Sequence, residues 1–307
     1  MTPTVSVVIP THNRRDLLFR TIRSALSQEA IALELLVVDD GSTDGTSEAV
    51  CALGDPRVRV LRSERSARVA AARNTGAAEA AGRWIALLDD DDLWSQQKLH
   101  DQVAAAERFG RQWVYGGAVE IDETGRLLGG EPPPAPEALV AGLAHRNLMP
   151  AGCSNVVIRT NLFRQIGGFD IQLRHLADWD LWLRLAAVAG PPACVPSPVV
   201  AYRIHPGQAS LDPKGMILEG RVLAARHGAD LNSIRRWLAW SHLRRGERRQ
   251  AIGSYARAVL AGDVTSLARA AVAVLDPSPT TCRLRRRPAE PAWHRAAAEW
   301  LPRAAGT

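Results

Sequence analysis

Short β-branched apolar runs alternate with amphipathic stretches along the first ninety residues. Residues 5–9 (VSVVI), 34–38 (ELLVV), 58–61 (VRVL) and 84–88 (WIALL) each predict a buried strand. Between them, residues 15–28 carry Leu18, Ile22, Ala25 and Leu26 at helical spacing. Residues 43–53 predict a second helix with Ser42 or Thr43 as cap, and 67–81 an Ala-rich third. Strands alternating with helices require right-handed crossovers, hence an α/β fold with a mostly parallel central sheet and flanking helices. Further strands are expected at 113–121, 154–158 and 199–204, and helices from Thr160 and over 177–187. Residues 131–136 and 190–198, rich in proline, read as loops. Beyond Pro213 no strand-like run remains. Arg and Ala dominate, three helices are expected, and residues 241–262 resemble one helix–glycine–helix repeat unit. The expected division is a 1–212 α/β domain, a 213–276 helical appendage, and a basic, mobile tail over 277–307.

The polar clusters fall at the ends of the strands. The first strand runs into Pro10, Thr11, His12 and Asn13, the second into Asp39 and Asp40, and the fourth into Asp89, Asp90, Asp91 and Asp92. Open α/β sheets bind ligands beyond the carboxyl ends of their strands. Four adjacent carboxylates raise one another's proton affinity unless a cation relieves them, which favours a divalent metal over a solvated turn. Asp39 and Asp40 suit a nucleobase or ribose, and equally a helix-capping turn. Asp178 and Asp180 bracket Trp179 at a helix start. Either is placed to act as a general base, or both simply complement the helix dipole while Trp179 and Trp182 fill core. Arg73 reads as a phosphate partner or a surface residue, and His205 as a metal ligand or an ordinary loop histidine.

Composition narrows the picture. The chain is 46% hydrophobic and 23% charged, an ordinary soluble profile. No apolar run reaches the roughly 18 residues that span a bilayer. The N-terminus lacks a signal-peptide pattern, so a cytoplasmic location is expected. Cys51, Cys153, Cys194 and Cys282 lack metal-site spacing and read as free, mostly buried thiols. From Lys214 onward 17 Lys and Arg face 7 Asp and Glu, which leaves residues 1–213 at −4 within a total of +6. An acidic front half argues against nucleic acid as partner. The basic end reads as solvated helices, with peripheral contact to the inner membrane face as the alternative.

Five segments in order (VSVVIPTHNR, LLVVDDGSTDGT, AAARNTGAAEAAGRWIALLDDDD, FDIQLRHLADWDLWLRLA and YRIHPGQAS) resemble the inverting glycosyltransferases of family 2, over roughly residues 4–210. The resemblance implies a GT-A fold and a nucleotide-sugar donor, UDP-linked by expectation. It assigns Pro10 to Asn13 and Asp40 to the nucleotide, with Asp39 beside Asp40, and Asp90 to the ribose or to no role. It assigns Asp89 and Asp91 to Mn²⁺ or Mg²⁺, Asp91 most directly, and Asp178 to the catalytic base; Arg73 and His205 are added as nucleotide-sugar and metal candidates from their own positions. The family often has Glu-Asp where this chain has Ala177-Asp178, which leaves Asp180 as a rival base. A glycan or lipid-linked acceptor is implied. A sugar nucleotidylyltransferase would need a glycine-rich phosphate loop after the first strand, and PTHNRRD has none. A degenerate domain acting as a scaffold through its helical end is the other alternative. Intact Asp89, Asp91 and Asp178 speak against it.

Overall fold

The computed structural model describes residues 2–205, 212–244, 246–275 and 291–305. Strands β1 (Val5–Thr11), β2 (Leu33–Asp40), β3 (Val58–Ser63) and β4 (Trp84–Leu87) lie parallel in the order β3-β2-β1-β4. Helices α1 (Arg15–Leu26), α2 (Thr46–Cys51) and α3 (Val69–Glu79) make the crossovers. Strand alternation divides the apolar residues between two cores. Val5, Val7 and Ile9 face one, while Val8, Leu36 and Val38 face the other. Helix α3 lies close on the second face because Gly76 has no side chain: a Cβ there would sit 2.4 Å from Val8.

The second half makes the sheet mixed. β5 (Leu93–Trp94), β6 (Trp113–Ile121), β7 (Leu127–Glu131), β8 (Val157–Arg159) and β9 (Ala193–Arg203) complete the order β3-β2-β1-β4-β8-β6-β9-β5, with β7 beside β6. β8 is antiparallel to β4 and β6, and β6 and β9 are parallel. The parallel expectation therefore describes the front half. β9 begins inside the segment expected to be loop. It carries Pro196 and Pro198, and its pairing with β6 slips at Gly116 and Gly117, where ladder bonds to proline are impossible. Helices α4 (Lys98–Arg108), α5 (Pro136–Leu143), α6 (Thr160–Gln165) and α7 (Ala177–Ala189) flank this half.

Beyond it, the appendage consists of four described helices where three were expected: α8 (Pro213–His227), α9 (Leu231–Arg244), α10 (Arg248–Leu260) and α11 (Thr265–Leu275). The expectation of a mobile tail needs correction in part. Residues 276–290 lie outside the described residues, but α12 (Pro291–Ala298) and α13 (Leu301–Ala305) return to the sheet. Ala297, Leu301 and Ala304 are buried with Leu93, Val119, Ile121 and Ala201. Trp293 lies against Gly117, where no Cβ fits, and Trp300 Nε1 donates to the Pro198 carbonyl at 3.0 Å. The basic neighbours hid an apolar stripe at helical spacing. Cys153 is buried, Cys194 half-buried and Cys51 exposed, all as free thiols, and Cys282 lies outside the described residues. No described helix is long and apolar enough to cross a membrane.

Candidate active site

The carboxyl ends of β1, β2 and β4 open into one cleft of about 1540 Å³, which Pro10, Thr11, His12, Asp40, Arg73 and Asp89 to Asp91 help to line. Strand register alone puts Thr11 beside Asp39, and β4 delivers the aspartates next door. Asp39 is fully buried and accepts from the Ser42 N–H and the Ser47 hydroxyl, so it closes the turn. Asp40 reaches the cleft, and its carboxylate also holds the next loop through Ser66 Oγ (2.6 Å), the Ala67 N–H (2.7 Å) and the Arg68 N–H (2.9 Å). His12 Nδ1 donates to the Asp40 carbonyl at 2.8 Å. Asn13 departs from the nucleotide role expected of it. At φ 53° it turns the loop, its Oδ1 accepts from the Thr43 N–H at 2.8 Å, and it is not among the cleft-lining residues.

The four adjacent aspartates have four different sets of partners, which is how the fold bears their mutual repulsion. Asp89 pairs with Arg73, whose guanidinium also stacks 5.2 Å from the Phe169 ring centre. Burial works against the Arg73 charge, but Asp89 holds its pKa above the ordinary value. Asp90 accepts from Thr11 Oγ1 (2.8 Å) and Arg14 Nη1 (3.1 Å). Burial and the neighbouring Asp91 charge nevertheless push its pKa up to about 6. Asp91 Oδ2 meets Arg14 Nη1 and His205 Nε2, each at 2.9 Å. Asp92 is fully buried and accepts from Ser154 Oγ (2.5 Å) and the Arg203 N–H (2.9 Å). It ties β9 to the strand tip, and burial followed by Asp91 raises its pKa strongly.

The same cleft holds the acid–base candidate. Asp178 stands in the first turn of α7 and lines the cleft. Its Oδ1 accepts from the Trp179 N–H (2.7 Å) and its Oδ2 from Asn147 Nδ2 (3.1 Å). Burial raises its pKa, while the Trp179 N–H, the Arg73 charge and Asn147 oppose the rise. Asp180 is buried on the other side of the helix, bound to Arg184 Nε (2.8 Å) and His227 Nε2 (2.9 Å). It does not line the cleft. Trp182 is fully buried, and Trp179 is buried with its Nε1 donating to the Leu143 carbonyl, so both tryptophans are core.

Several site residues left no local trace in the sequence. Glu219 of α8 accepts from the N–H groups of Arg174, His175 and Leu176, each at 2.8 Å, and so clamps the turn that leads to Asp178. Arg203 Nε donates to the Asp91 carbonyl at 2.9 Å, and Ser154 and Asn147 come from segments with no motif. Arg14 and Arg203 do fall inside the segments VSVVIPTHNR and YRIHPGQAS, but nothing in those segments reveals their partners.

A divalent cation fits as a shared ligand rather than a protein-caged one. Among the described residues no three His, Cys, Asp or Glu side chains cluster as a metal site. Asp91 Oδ2 and His205 Nε2 converge with side chains 10% and 11% exposed, a carboxylate–imidazole pair that leaves most coordination positions to a ligand. Arg14 already sets a positive charge against that same oxygen.

Comparison with known proteins agrees with this architecture. The glycosyl transferase family 2 model matches residues 6–167, and the chain belongs to that family; it is a glycosyltransferase. It is 34% identical over 222 residues to the succinoglycan biosynthesis protein ExoO of Rhizobium meliloti, covering 68% of this chain and 63% of that protein's length. It is 33% identical over 181 residues to WfgD of Escherichia coli, a UDP-Glc:alpha-D-GlcNAc-diphosphoundecaprenol beta-1,3-glucosyltransferase, covering 59% and 69%. The crystal structure of S. aureus TarS 1–349 in complex with UDP-GlcNAc superposes with a TM-score of 0.61 at 18% identity, over 98% of this chain and 89% of that one. The fold is thus GT-A with a helical C-terminal region.

Proposed function

We propose that the protein is an inverting transferase that moves a sugar from a UDP-sugar to a hydroxyl of a lipid-linked glycan acceptor. One observation carries the reading: a single cleft is lined by the strand-tip carboxylates Asp40 and Asp89 to Asp91 and by Asp178. The nucleotide lies over Pro10 to His12 and Asp40, and Arg73 stands beside the diphosphate. Asp91 and His205 hold Mn²⁺ or Mg²⁺, which when bound neutralises charge on the departing diphosphate. Asp178 takes the proton of the acceptor hydroxyl as its oxygen attacks the anomeric carbon from the face opposite the leaving group. A single displacement inverts that carbon, with no glycosyl–enzyme intermediate. The names of WfgD and a second E. coli relative, WfaP, support the lipid-diphosphate acceptor and the UDP donor. A panel of nucleotide-sugars assayed for nucleotide release with Mn²⁺ tests the reading. UDP release from at least one UDP-sugar is expected, and release from none, with the protein folded, contradicts it and favours a scaffold.

A further inference from the structure

The cleft is larger than one ligand needs. At about 1540 Å³ it exceeds the roughly 300–1,000 Å³ usual for a small-molecule site, and the helical appendage supplies part of its lining beyond Asp178. Trp237 and Trp240 on one turn of α9 line it, as do Arg269 and Val272 on one turn of α11. We propose that Arg146, Arg174 and His175 together with this appendage wall form the acceptor site, which takes a sugar joined through a diphosphate to an apolar carrier. The inference rests on the glycosyltransferase reading above, and it assigns each part of the acceptor to particular residues.

The acceptor sugar must present its hydroxyl at Asp178. Beside it stand cations unused elsewhere. Arg174 precedes Asp178 by four positions, and Arg146 adjoins Asn147, which donates to Asp178. Both arginines line the cleft and are exposed, and among the described residues neither has a carboxylate within salt-bridge distance. Arg236, by contrast, is committed to Asp230 and Asp263. His175 adds a buried group: its side chain is 3% exposed, it lines the cleft, and its Nε2 has no hydrogen-bond partner, with the Asp212 carboxylate 3.6 Å away. Two guanidinium groups and an imidazole without a hydrogen-bond partner, in the same cleft as the base, suit a diphosphate. Farther along, Trp237 is 36% exposed and Val272 48%, an apolar path for the carrier. Leu260 at the end of α10, Val264 in the turn that follows and Leu267 in α11 add further exposed apolar surface on the appendage, at 88%, 76% and 63%.

Calorimetric titration of the full chain with farnesyl diphosphate, in saturating UDP and Mn²⁺, tests the assignment. Farnesyl diphosphate should bind at least tenfold more tightly than inorganic pyrophosphate. The double variant Arg146→Ala/Arg174→Ala should weaken it tenfold or more, and Trp237→Ala about fivefold, with UDP affinity unchanged in each. UDP binding without farnesyl diphosphate binding overturns this proposal alone, and failure to bind either ligand overturns the donor reading with it. Unchanged binding in both variants, or equal binding to anionic vesicles free of diphosphate lipid, also overturns it.

Discussion

Asp178 is where residue chemistry is most exposed to test. Asp178→Asn should keep donor affinity and lower turnover by roughly 10²–10⁴, the range for losing an acid–base group. The base must be ionised, and burial raises its pKa. Turnover should therefore fall on the acid side at a pH above that of an ordinary carboxylate. Asn147 donates to the charged form, so Asn147→Leu should move that limb of the kcat profile to still higher pH; a shift downward would contradict the assignment. Lys98 offers a separate test. It is fully buried, with Nζ 2.7 Å from Gln102 Oε1 and 4.0 Å from the Trp94 ring centre, and burial drives its pKa well down. The unfolded chain then binds a proton that the native state refuses, so stability rises with pH through this group. Lys98→Met should stabilise the fold at neutral pH by about 1–3 kcal/mol in urea denaturation, less as pH approaches the lysine value. Among single residues, Asp91 stood out because motif and strand end coincide, and Asp178 because a carboxylate opens a helix within a family-like segment. Asp180 remained a rival because spacing along a helix start does not reveal which carboxylate turns inward; only the Arg184 and His227 partners do.

Elements carry information that no motif contains. The turn before α7 is held by a carboxylate more than forty positions away, since Glu219 takes three consecutive N–H groups there. Glu219→Ala should lower kcat with little change in the KM for donor, because it loosens the base and not the nucleotide site. An equal change in both would make Glu219 merely structural. The appendage has its own fastening: Asp263 accepts from Arg236 Nη1 (2.5 Å), Thr265 Oγ1 (2.6 Å) and Ser266 Oγ (2.7 Å). Asp263→Ala leaves those donors unmatched and should cost about 1–3 kcal/mol, read as faster proteolysis within residues 231–275. The parallel strands were legible because both faces are buried and the runs are continuously apolar. Helix α4 gave no such signal, since Lys98 and Gln102 occupy its buried face. β9 was half concealed by Pro196 and Pro198, which read as loop.

At the scale of the molecule, the cleft is lined both by the sheet tips and by helices of the appendage. Charge and composition suggested a division near residue 212, yet they could not show that the basic end folds back. Its Trp293, Ala297, Leu301 and Ala304 bury against the sheet. The convergence of the strand-end clusters on one cleft was largely readable, because ligand sites of α/β sheets lie where strands end. The appended wall was not, because its lining residues from Met216 to Val272 join the cleft of Asp178 only in three dimensions. The central claim is that the strand-tip carboxylates grip a cation-bridged nucleotide. Calorimetric titration with UDP tests it most directly, in Mn²⁺ and in EDTA, for the native chain and Asp91→Asn. Binding in Mn²⁺ should weaken at least tenfold in EDTA and equally in the variant; identical affinity under all four conditions would contradict a cation-bridged nucleotide.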